Sequence, residues 1–126
     1  MAHNTDPELD HIIETHKRLN AEARARARTR LERAREEARA LAARLAESDP
    51  GLRRVVLFGS VATGRVRDEN FDIDLAVEGG NLTTLWLRAE ESEFSVDIVD
   101  LDRVSPDFRS MVEERGTELF VRRETS

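Results

Sequence analysis

A chain of 126 residues has room for one domain with a single small core. Because it contains no cysteine, disulfides, thiolate metal sites and thiol nucleophiles are excluded. Any metal ion would have to be bound by carboxylate and imidazole ligands. The net charge is −6, and neither an apolar stretch of about 18 residues nor a charged-then-apolar leader is present, which predicts a cytoplasmic protein without a membrane span.

The first predicted element is one long N-terminal helix. Residues 8–47 contain no Gly and no Pro and are rich in Ala, Arg, Glu and Leu, which are the strongest helix formers. Asp6 and Pro7 supply an N-cap and a helix start, and residues 48–51 supply the stop. At about 1.5 Å per residue the helix would extend on the order of 60 Å, against a radius of gyration of roughly 14 Å for a compact domain of this length. It must therefore project, break or find a partner.

An apolar stripe runs along this helix in alternating steps of three and four residues, interrupted by two successive steps of four at positions 23, 27 and 31. The pattern is that of a heptad stripe with a stutter. Seven arginines cluster where large apolar side chains are scarce, namely Arg24, Arg26, Arg28, Arg30, Arg33, Arg35 and Arg39. Two interpretations stay open: a dimerising or domain-packing helix with a solvated arginine face, or a face that binds an acidic protein or a nucleic acid. The acidic balance of the whole chain argues against direct nucleic-acid binding.

From residue 52 onward the pattern changes to short strands and helices. Strands are predicted at 53–58, 71–77, 94–101 and 117–122, and helices at 82–91 and 106–114. These elements predict an α+β domain with one sheet. The chain is thus divided into residues 1–48, a helix for dimerisation or partner docking, and residues 52–122, a compact domain.

Two carboxylates in the second predicted strand suggest a metal site. Alternate side chains of a strand share a face, so Asp72 and Asp74 lie opposite the core-facing residues, with backbones roughly 6.5 to 7 Å apart. Two ionised carboxylates at that spacing repel each other or require a cation. Magnesium prefers such oxygen ligands and completes its shell with water and substrate phosphates, which a nucleoside triphosphate would supply. Asp97, alone in an apolar run, becomes a third ligand if its strand pairs beside that of Asp74.

A Gly-Ser pair precedes the carboxylates. Gly59 and Ser60 follow a predicted strand directly, so phosphates could approach their backbone amides and the serine hydroxyl. Gly64 and Arg65 lie in the same loop, where the arginine could add a cation, although an exposed arginine beside a glycine is common. Each pair alone is usually a turn or a surface feature. The ordered combination of strand, Gly-Ser, paired aspartates and a later strand aspartate predicts a site for metal and phosphate.

Residues 57–77, LFGSVATGRVRDENFDIDLAV, resemble the signature of the minimal nucleotidyltransferase (MNT) domains in the DNA polymerase β-like superfamily. That signature is a Gly-Ser pair, a spacer, Asp-x-Asp, and a third Asp in a later strand. The resemblance covers residues 55–120 and does not extend to residues 1–48. The spacer of eleven residues between Ser60 and Asp72 is one longer than usual. Thr63 and Phe71 stand where arginine and serine are common in the family, which bears on nucleotide specificity and rate.

The resemblance implies a small mixed sheet with helices packed on one face. It also implies that Asp72, Asp74 and Asp97 bind two Mg²⁺ ions and that Gly59 and Ser60 contact phosphate. Members transfer a nucleoside monophosphate, usually AMP from ATP, onto a hydroxyl. In such a site one ion activates the acceptor oxygen and the other stabilises the pyrophosphate.

The resemblance further implies a partner. Many small MNT proteins are antitoxins that bind a HEPN-domain ribonuclease toxin and in some cases modify it on a tyrosine. This chain has no tyrosine, so it cannot modify itself in that way. Two alternatives stay open: an antitoxin or scaffold that neutralises its partner by contact through the arginine-rich helix, and transfer to a small molecule, for which the chain is too short to hold a second domain.

Overall fold

The computed structural model describes residues 6–123. In this part of the chain the elements are α1 (Pro7–Ser48), β1 (Leu52–Phe58), α2 (Gly59–Thr63), β2 (Ile73–Gly79), α3 (Leu82–Ala89), β3 (Val96–Asp100), α4 (Pro106–Arg115) and β4 (Thr117–Val121). Asp6 caps α1 by accepting a hydrogen bond from the Glu8 amide, with Pro7 in the first turn. The long helix predicted from composition therefore begins and ends within one residue of its predicted limits.

The strands form one mixed sheet in the order β3-β2-β1-β4. β1 runs antiparallel to both β2 and β4, whereas β2 and β3 are parallel and are connected through α3. Alternate residues of β1 and β2, such as Val55, Leu57, Leu75 and Val77, are buried on one face. The predicted α+β fold with a small mixed sheet and a long N-terminal helix is confirmed.

α1 both projects from the domain and packs on it. Its second half lies over the sheet and buries seven side chains, which are Ala27, Leu31, Ala34, Ala38, Leu41, Ala42 and Leu45. Its residues up to Glu22 are almost all exposed. The helix changes from exposed to packed at Ala27, which is the middle residue of the two successive steps of four in the apolar stripe. Residues 27–48 are thus part of the core, and the division of the chain at residues 48–52 stays a prediction.

The opposite face of the sheet is also covered, and this corrects the expectation that helices pack on one face. Val112 of α4 is buried in a second cluster with Val56, Ala76 and Leu101. Phe108 of α4 meets Phe58 of β1 edge to face, with ring centroids 5.6 Å apart. Val56 and Ala76 are apolar residues that point to the face opposite Val55 and Val77, so β1 and β2 are apolar on both faces. Both faces of the sheet must therefore be covered.

Two predicted strands and one predicted loop differ from the structure. β2 begins at Ile73 and not at 71, because pairing with β3 starts at Ile73 and Val96, after a turn in which Asp68 accepts a hydrogen bond from the Asn70 amide. β3 is likewise shorter than residues 94–101. The helix α2 was predicted as a loop, since five residues beginning with glycine show no helical periodicity. No helix within residues 6–123 combines the length and the apolar character that a bilayer crossing requires.

Arg54 of β1 connects its strand to the helix α4 and to the neighbouring strand β4. Its guanidinium donates hydrogen bonds to both carboxylate oxygens of Glu113 and, at 2.8 Å, to Glu118. The bonds to Glu113 raise the pKa of Arg54, and the same bonds lower the pKa of Glu113. We expect Arg54→Met to lower the free energy of unfolding by about 1 to 3 kcal/mol, because it leaves clustered carboxylates without their cation.

Urea denaturation measures this loss, and Arg53→Met is the matched control. The Arg53 side chain is 58% exposed and its ion pairs to Glu78 and Asp102 are longer, at 3.9 and 3.6 Å. Its substitution should change the free energy of unfolding by less than about 0.5 kcal/mol. Equal losses in the two variants would contradict the structural role of Arg54.

Candidate active site

Three strand ends meet at one edge of the sheet and bring two of the predicted carboxylates side by side. Asp74, near the start of β2, lies across from Phe58 at the end of β1. On its other side Asp74 is paired with Asp97 of β3. This is the strand pairing that the sequence required for a third carboxylate, and Gly59, which directly follows β1, lies against Asp74.

The three carboxylates differ in their surroundings. Asp74 is half-buried, whereas Asp97 and Asp72 are exposed, and Asp72 precedes the strand rather than lying in it. Burial raises the pKa of Asp74 to about 6, and repulsion by Asp97 and then Asp72 adds to the rise. The charges of Asp97 and Asp72 therefore act on the Asp74 carboxylate.

The donor chemistry of this edge fits a divalent cation. Among residues 6–123 no three acidic or histidine side chains converge in a ready metal-binding cluster. Three neighbouring carboxylates nevertheless offer only hard oxygen donors, the kind that Mg²⁺ prefers. Because a cation would relieve the repulsion that raises the pKa of Asp74, the site favours one electrostatically.

Gly59 lets the main chain approach the central carboxylate. Its φ is +76°, a left-handed conformation that favours glycine. A Cβ at this position would overlap Oδ2 of Asp74 and lie 3.2 Å from its Cγ. Both the conformation and the space therefore require glycine at the start of α2.

The other predicted phosphate-binding residues separate into two groups. Ser60 and Arg65 line an open cavity of about 300 Å³ together with Phe71, Arg67 and neighbours of the loop. Gly64 ends α2 with φ +79° and faces α1, where a Cβ would lie 3.3 Å from Nη2 of Arg35. The structure therefore brings Gly59 to Asp74, places Ser60 and Arg65 together in the cavity of the following loop, and places Gly64 at the contact between α2 and α1.

Arg35 is a residue that sequence reasoning missed as part of this site. Its Nε donates a hydrogen bond of 2.9 Å to the carbonyl oxygen of Val61, and Nη2 reaches that of Ala62 at 3.4 Å. These are carbonyls near the end of α2, so a residue of the long helix holds the short helix that begins with Gly59. The sequence offered no signal for it, because Arg35 is one of seven similar arginines.

We expect Arg35→Ala to raise the KM for the nucleoside triphosphate that the sequence predicts as substrate by roughly 10-fold while changing kcat less, since small displacements of positioning groups weaken binding. The free energy of unfolding should fall by about 1 to 2 kcal/mol with the loss of a charged hydrogen bond. Steady-state kinetics and urea denaturation measure the two effects. Arg39→Ala, an exposed arginine of the same helix, should change neither, and a similar KM in both variants would contradict the role of Arg35.

The sequence profile of the family described as "Polymerase beta, Nucleotidyltransferase" matches residues 42–125. The chain belongs to this nucleotidyltransferase family. The family predicted from the Gly-Ser and Asp-x-Asp pattern is thereby confirmed, and so is nucleotidyltransferase as the class of enzyme. A comparison with curated protein sequences gives no match.

Solved structures with the same fold include toxin–antitoxin complexes. A toxin–antitoxin structure with AMP-PNP has 27% identity and a TM-score of 0.56, and the match covers 67% of this nucleotidyltransferase and 73% of that chain. The MntA-HepT toxin–antitoxin has 22% identity and a TM-score of 0.51 over 69% and 73% of the two chains. The complex of tri-AMPylated Shewanella oneidensis HEPN toxin with MNT antitoxin has 24% identity and a TM-score of 0.52 over 69% and 72%.

Proposed function

We propose that this nucleotidyltransferase transfers AMP from ATP to a hydroxyl of a partner protein and acts as the antitoxin of a HEPN-type toxin. The observation that supports this most is the pairing of Asp74 with Asp97 beside the Gly59 turn. The toxin–antitoxin structure that it resembles at 27% identity contains AMP-PNP, a nucleotide analogue. A tyrosine of the toxin is the proposed acceptor, and the cytoplasm is the proposed location.

In this proposal Asp72, Asp74 and Asp97 hold Mg²⁺, with two ions expected. The ions supply charge stabilisation for the acceptor oxygen and for the pyrophosphate leaving group. Gly59 and Ser60 bind phosphate oxygens through main-chain amides and the serine hydroxyl. Arg65 lies in the same cavity as Ser60 and adds positive charge there.

The transfer is an in-line displacement at the α-phosphorus of ATP. The acceptor hydroxyl oxygen forms the new bond to phosphorus while the bond to the pyrophosphate oxygen breaks. The hydroxyl proton leaves to a carboxylate, and Asp97 is the group we assign, because it is exposed beside Asp74. The role of these residues is positioning and electrostatic stabilisation.

The test uses the purified protein with Mg²⁺, α-labelled ATP and the co-expressed partner. We expect label on a protein with the wild type and none with the Asp72→Asn/Asp74→Asn variant. Glu114→Gln, an exposed carboxylate of α4, is the matched control and should transfer normally. Transfer by the double variant at the wild-type rate would overturn the site assignment.

A second candidate function is neutralisation by contact alone. The observation that favours it is that the first half of α1 exposes four large apolar side chains, which are those of Leu9, Ile12, Ile13 and Leu19. Removal of residues 1–22 leaves the packed half of the helix in place and should abolish neutralisation in this case, whereas the aspartate variant should retain it. If instead the truncated protein neutralises the toxin and the aspartate variant does not, transfer is the function.

A further inference from the structure

The packed half of α1 contacts each of the three segments that lead into the candidate active site. Arg35 holds α2, which begins with Gly59, through the hydrogen bonds described above. Other side chains of the same helix reach the loop before β2 and the turn before β3. These two segments lead to the outer carboxylates, Asp72 and Asp97.

The sheet holds the outer carboxylates less firmly than it holds Asp74. Asp74 lies in β2, which is paired on both sides. Asp72 precedes that strand, and Asp97 lies in β3, an edge strand whose pairing within residues 6–123 is with β2 alone. Because the backbone ladders fix only the central residue from both sides, the positions of Asp72 and Asp97 depend on how the segments before them are anchored.

An ion pair ties the loop before β2 to α1. Nε of Arg26 donates a hydrogen bond of 2.9 Å to Oε1 of Glu69, three residues before Asp72. Within the described part of the chain, the other hydrogen bonds of residues 66–71 reach no further than two positions along the sequence. Val66 and Phe71 pack against the core, so Arg26 supplies the polar attachment for the exposed stretch between them.

Two further arginines of α1 hold the turn before β3. Nη2 of Arg33 donates a hydrogen bond of 2.9 Å to Oε1 of Glu93. The guanidinium of Arg30 lies over the ring of the buried Phe94, 4.4 Å from the ring centroid, which is a cation–π contact. Phe94 precedes Asp97 by three residues. The helix α1 therefore holds the segment before each of the two outer carboxylates.

The three arginines of these contacts, Arg26, Arg30 and Arg33, form an arginine row along α1. Their spacing of four and then three residues places them on one side of the helix. Together with Glu69 they line an open groove of about 320 Å³. The arginine row thus bridges the two segments. For this part of the arginine cluster the contacts lie within the chain, whereas the sequence left a solvated face and a partner-binding face open.

We propose that the arginine row consists of positioning residues for nucleotidyl transfer. By fixing the segments before β2 and β3, it keeps Asp72 and Asp97 beside Asp74, where the carboxylates can share a metal ion. The inference rests on the proposed function, in which these three aspartates hold Mg²⁺. Like charges drive the outer carboxylates away from the central one when no cation is bound, and the anchored segments oppose this movement.

Charge exchange tests the anchoring of the loop without metal or nucleotide. Arg26→Glu places two glutamates against each other, so the NMR order parameters of residues 67–72 should fall from about 0.85 towards about 0.6. The urea midpoint should stay close to that of the wild type, because an exposed ion pair contributes little to global stability. Arg26→Glu/Glu69→Arg restores the pair and should restore the order parameters. Equal order parameters in the wild type and Arg26→Glu overturn the proposal.

Titration calorimetry with Mg²⁺ and a non-hydrolysable ATP analogue tests the consequence for the site. Arg26→Glu should weaken Mg²⁺ binding by about 10-fold, the low end of what the loss of outer support costs a metal site, and Arg26→Glu/Glu69→Arg should recover it. Arg103→Glu is the matched control, because Arg103 forms an exposed ion pair with Asp100 at the opposite end of β3, and it should bind Mg²⁺ like the wild type.

The outcomes separate this inference from the proposed function. If the wild type binds Mg²⁺ and Arg26→Glu binds it equally well, the positioning role is wrong and the proposed function stands. A wild-type chain that binds no Mg²⁺ overturns both.

The same exchange at Arg33 and Glu93 tests the segment before β3. Arg33→Glu should weaken Mg²⁺ binding and Arg33→Glu/Glu93→Arg should recover it, while Arg30→Met, which removes the cation over Phe94, should act in the same direction as Arg33→Glu. The losses in Arg26→Glu and Arg33→Glu should multiply in the combined variant, because the two segments lead to different carboxylates. A Mg²⁺ affinity that Arg33→Glu leaves unchanged overturns the role of the arginine row at β3.

Discussion

Asp74→Asn should reduce the proposed AMP transfer by at least about 100-fold and should at the same time stabilise the fold at pH 8. Loss of a residue that only orients a metal ligand already costs about 10- to 100-fold, and Asp74 is itself a proposed ligand. Burial, followed by the charges of Asp97 and Asp72, disfavours the ionised form of the Asp74 carboxylate and so raises its pKa. An uncharged amide of the same size removes that repulsion. Loss of function together with a gain of stability is typical of an active-site residue that lowers the stability of the fold but is needed for activity.

The sign of the pH dependence follows from the raised pKa. Asp74 has a folded-state pKa of about 6 against its usual 3.8, so the folded chain binds this proton more tightly than the unfolded chain. The stabilisation from protonated Asp74 is complete below pH 3.8 and is lost as the pH rises through 6. The free energy of unfolding of Asp74→Asn should therefore exceed that of the wild type by roughly 1 to 2 kcal/mol at pH 8, after discounting for solvent screening. At pH 4 the two free energies should be almost equal.

Urea denaturation at the two pH values measures this difference. Glu114→Gln is again the control and should behave like the wild type at both. Mg²⁺ should raise the stability of the wild type at pH 8 and have little effect on Asp74→Asn, because binding to the folded state alone stabilises it. If the variant is less stable than the wild type at pH 8, the ionised Asp74 carboxylate does not destabilise the fold.

Gly59→Ala should abolish nucleotide binding and lower the free energy of unfolding by about 2 to 4 kcal/mol. The added Cβ meets the Asp74 carboxylate, and the residue must adopt φ +76°. Either the turn or the carboxylate has to move, so the main-chain amides proposed to bind phosphate and the proposed metal ligand Asp74 change their relative positions. Titration calorimetry with Mg²⁺ and a non-hydrolysable ATP analogue measures the loss of binding.

Gly64→Ala separates the two causes. Gly64 has almost the same φ, +79°, but its Cβ would meet only the end of the Arg35 side chain, at 3.3 Å. The backbone strain is therefore similar, at roughly 1 to 2 kcal/mol, while Asp74 stays in place. We expect Gly64→Ala to lose stability and keep its Mg²⁺ affinity. If both variants lose Mg²⁺ affinity equally, the contact between Gly59 and Asp74 is not the cause.

Local sequence was sufficient for most of the elements and for the carboxylates and the Gly-Ser pair of the candidate site. The limits of α1 could be predicted because helix propensity and the cap at Asp6 act within a few residues. The Gly-Ser and Asp-x-Asp pattern identified the family for the same reason, since a phosphate turn and a pair of carboxylates need residue types at short spacings. Asp97 was singled out because a carboxylate is unusual in an apolar strand.

Long-range contacts decided what the local pattern left open. The sequence by itself determined which side chains are suited to bind a metal and phosphate, and that a long helix precedes the sheet. Only the tertiary structure decided that Asp97 pairs with Asp74, that half of α1 belongs to the core and that Arg35 holds α2. The pairing joins residues more than 20 positions apart, and the Arg35 contact spans 26 residues. Such contacts depend on the packing of the whole domain, and no periodicity within a short segment encodes them.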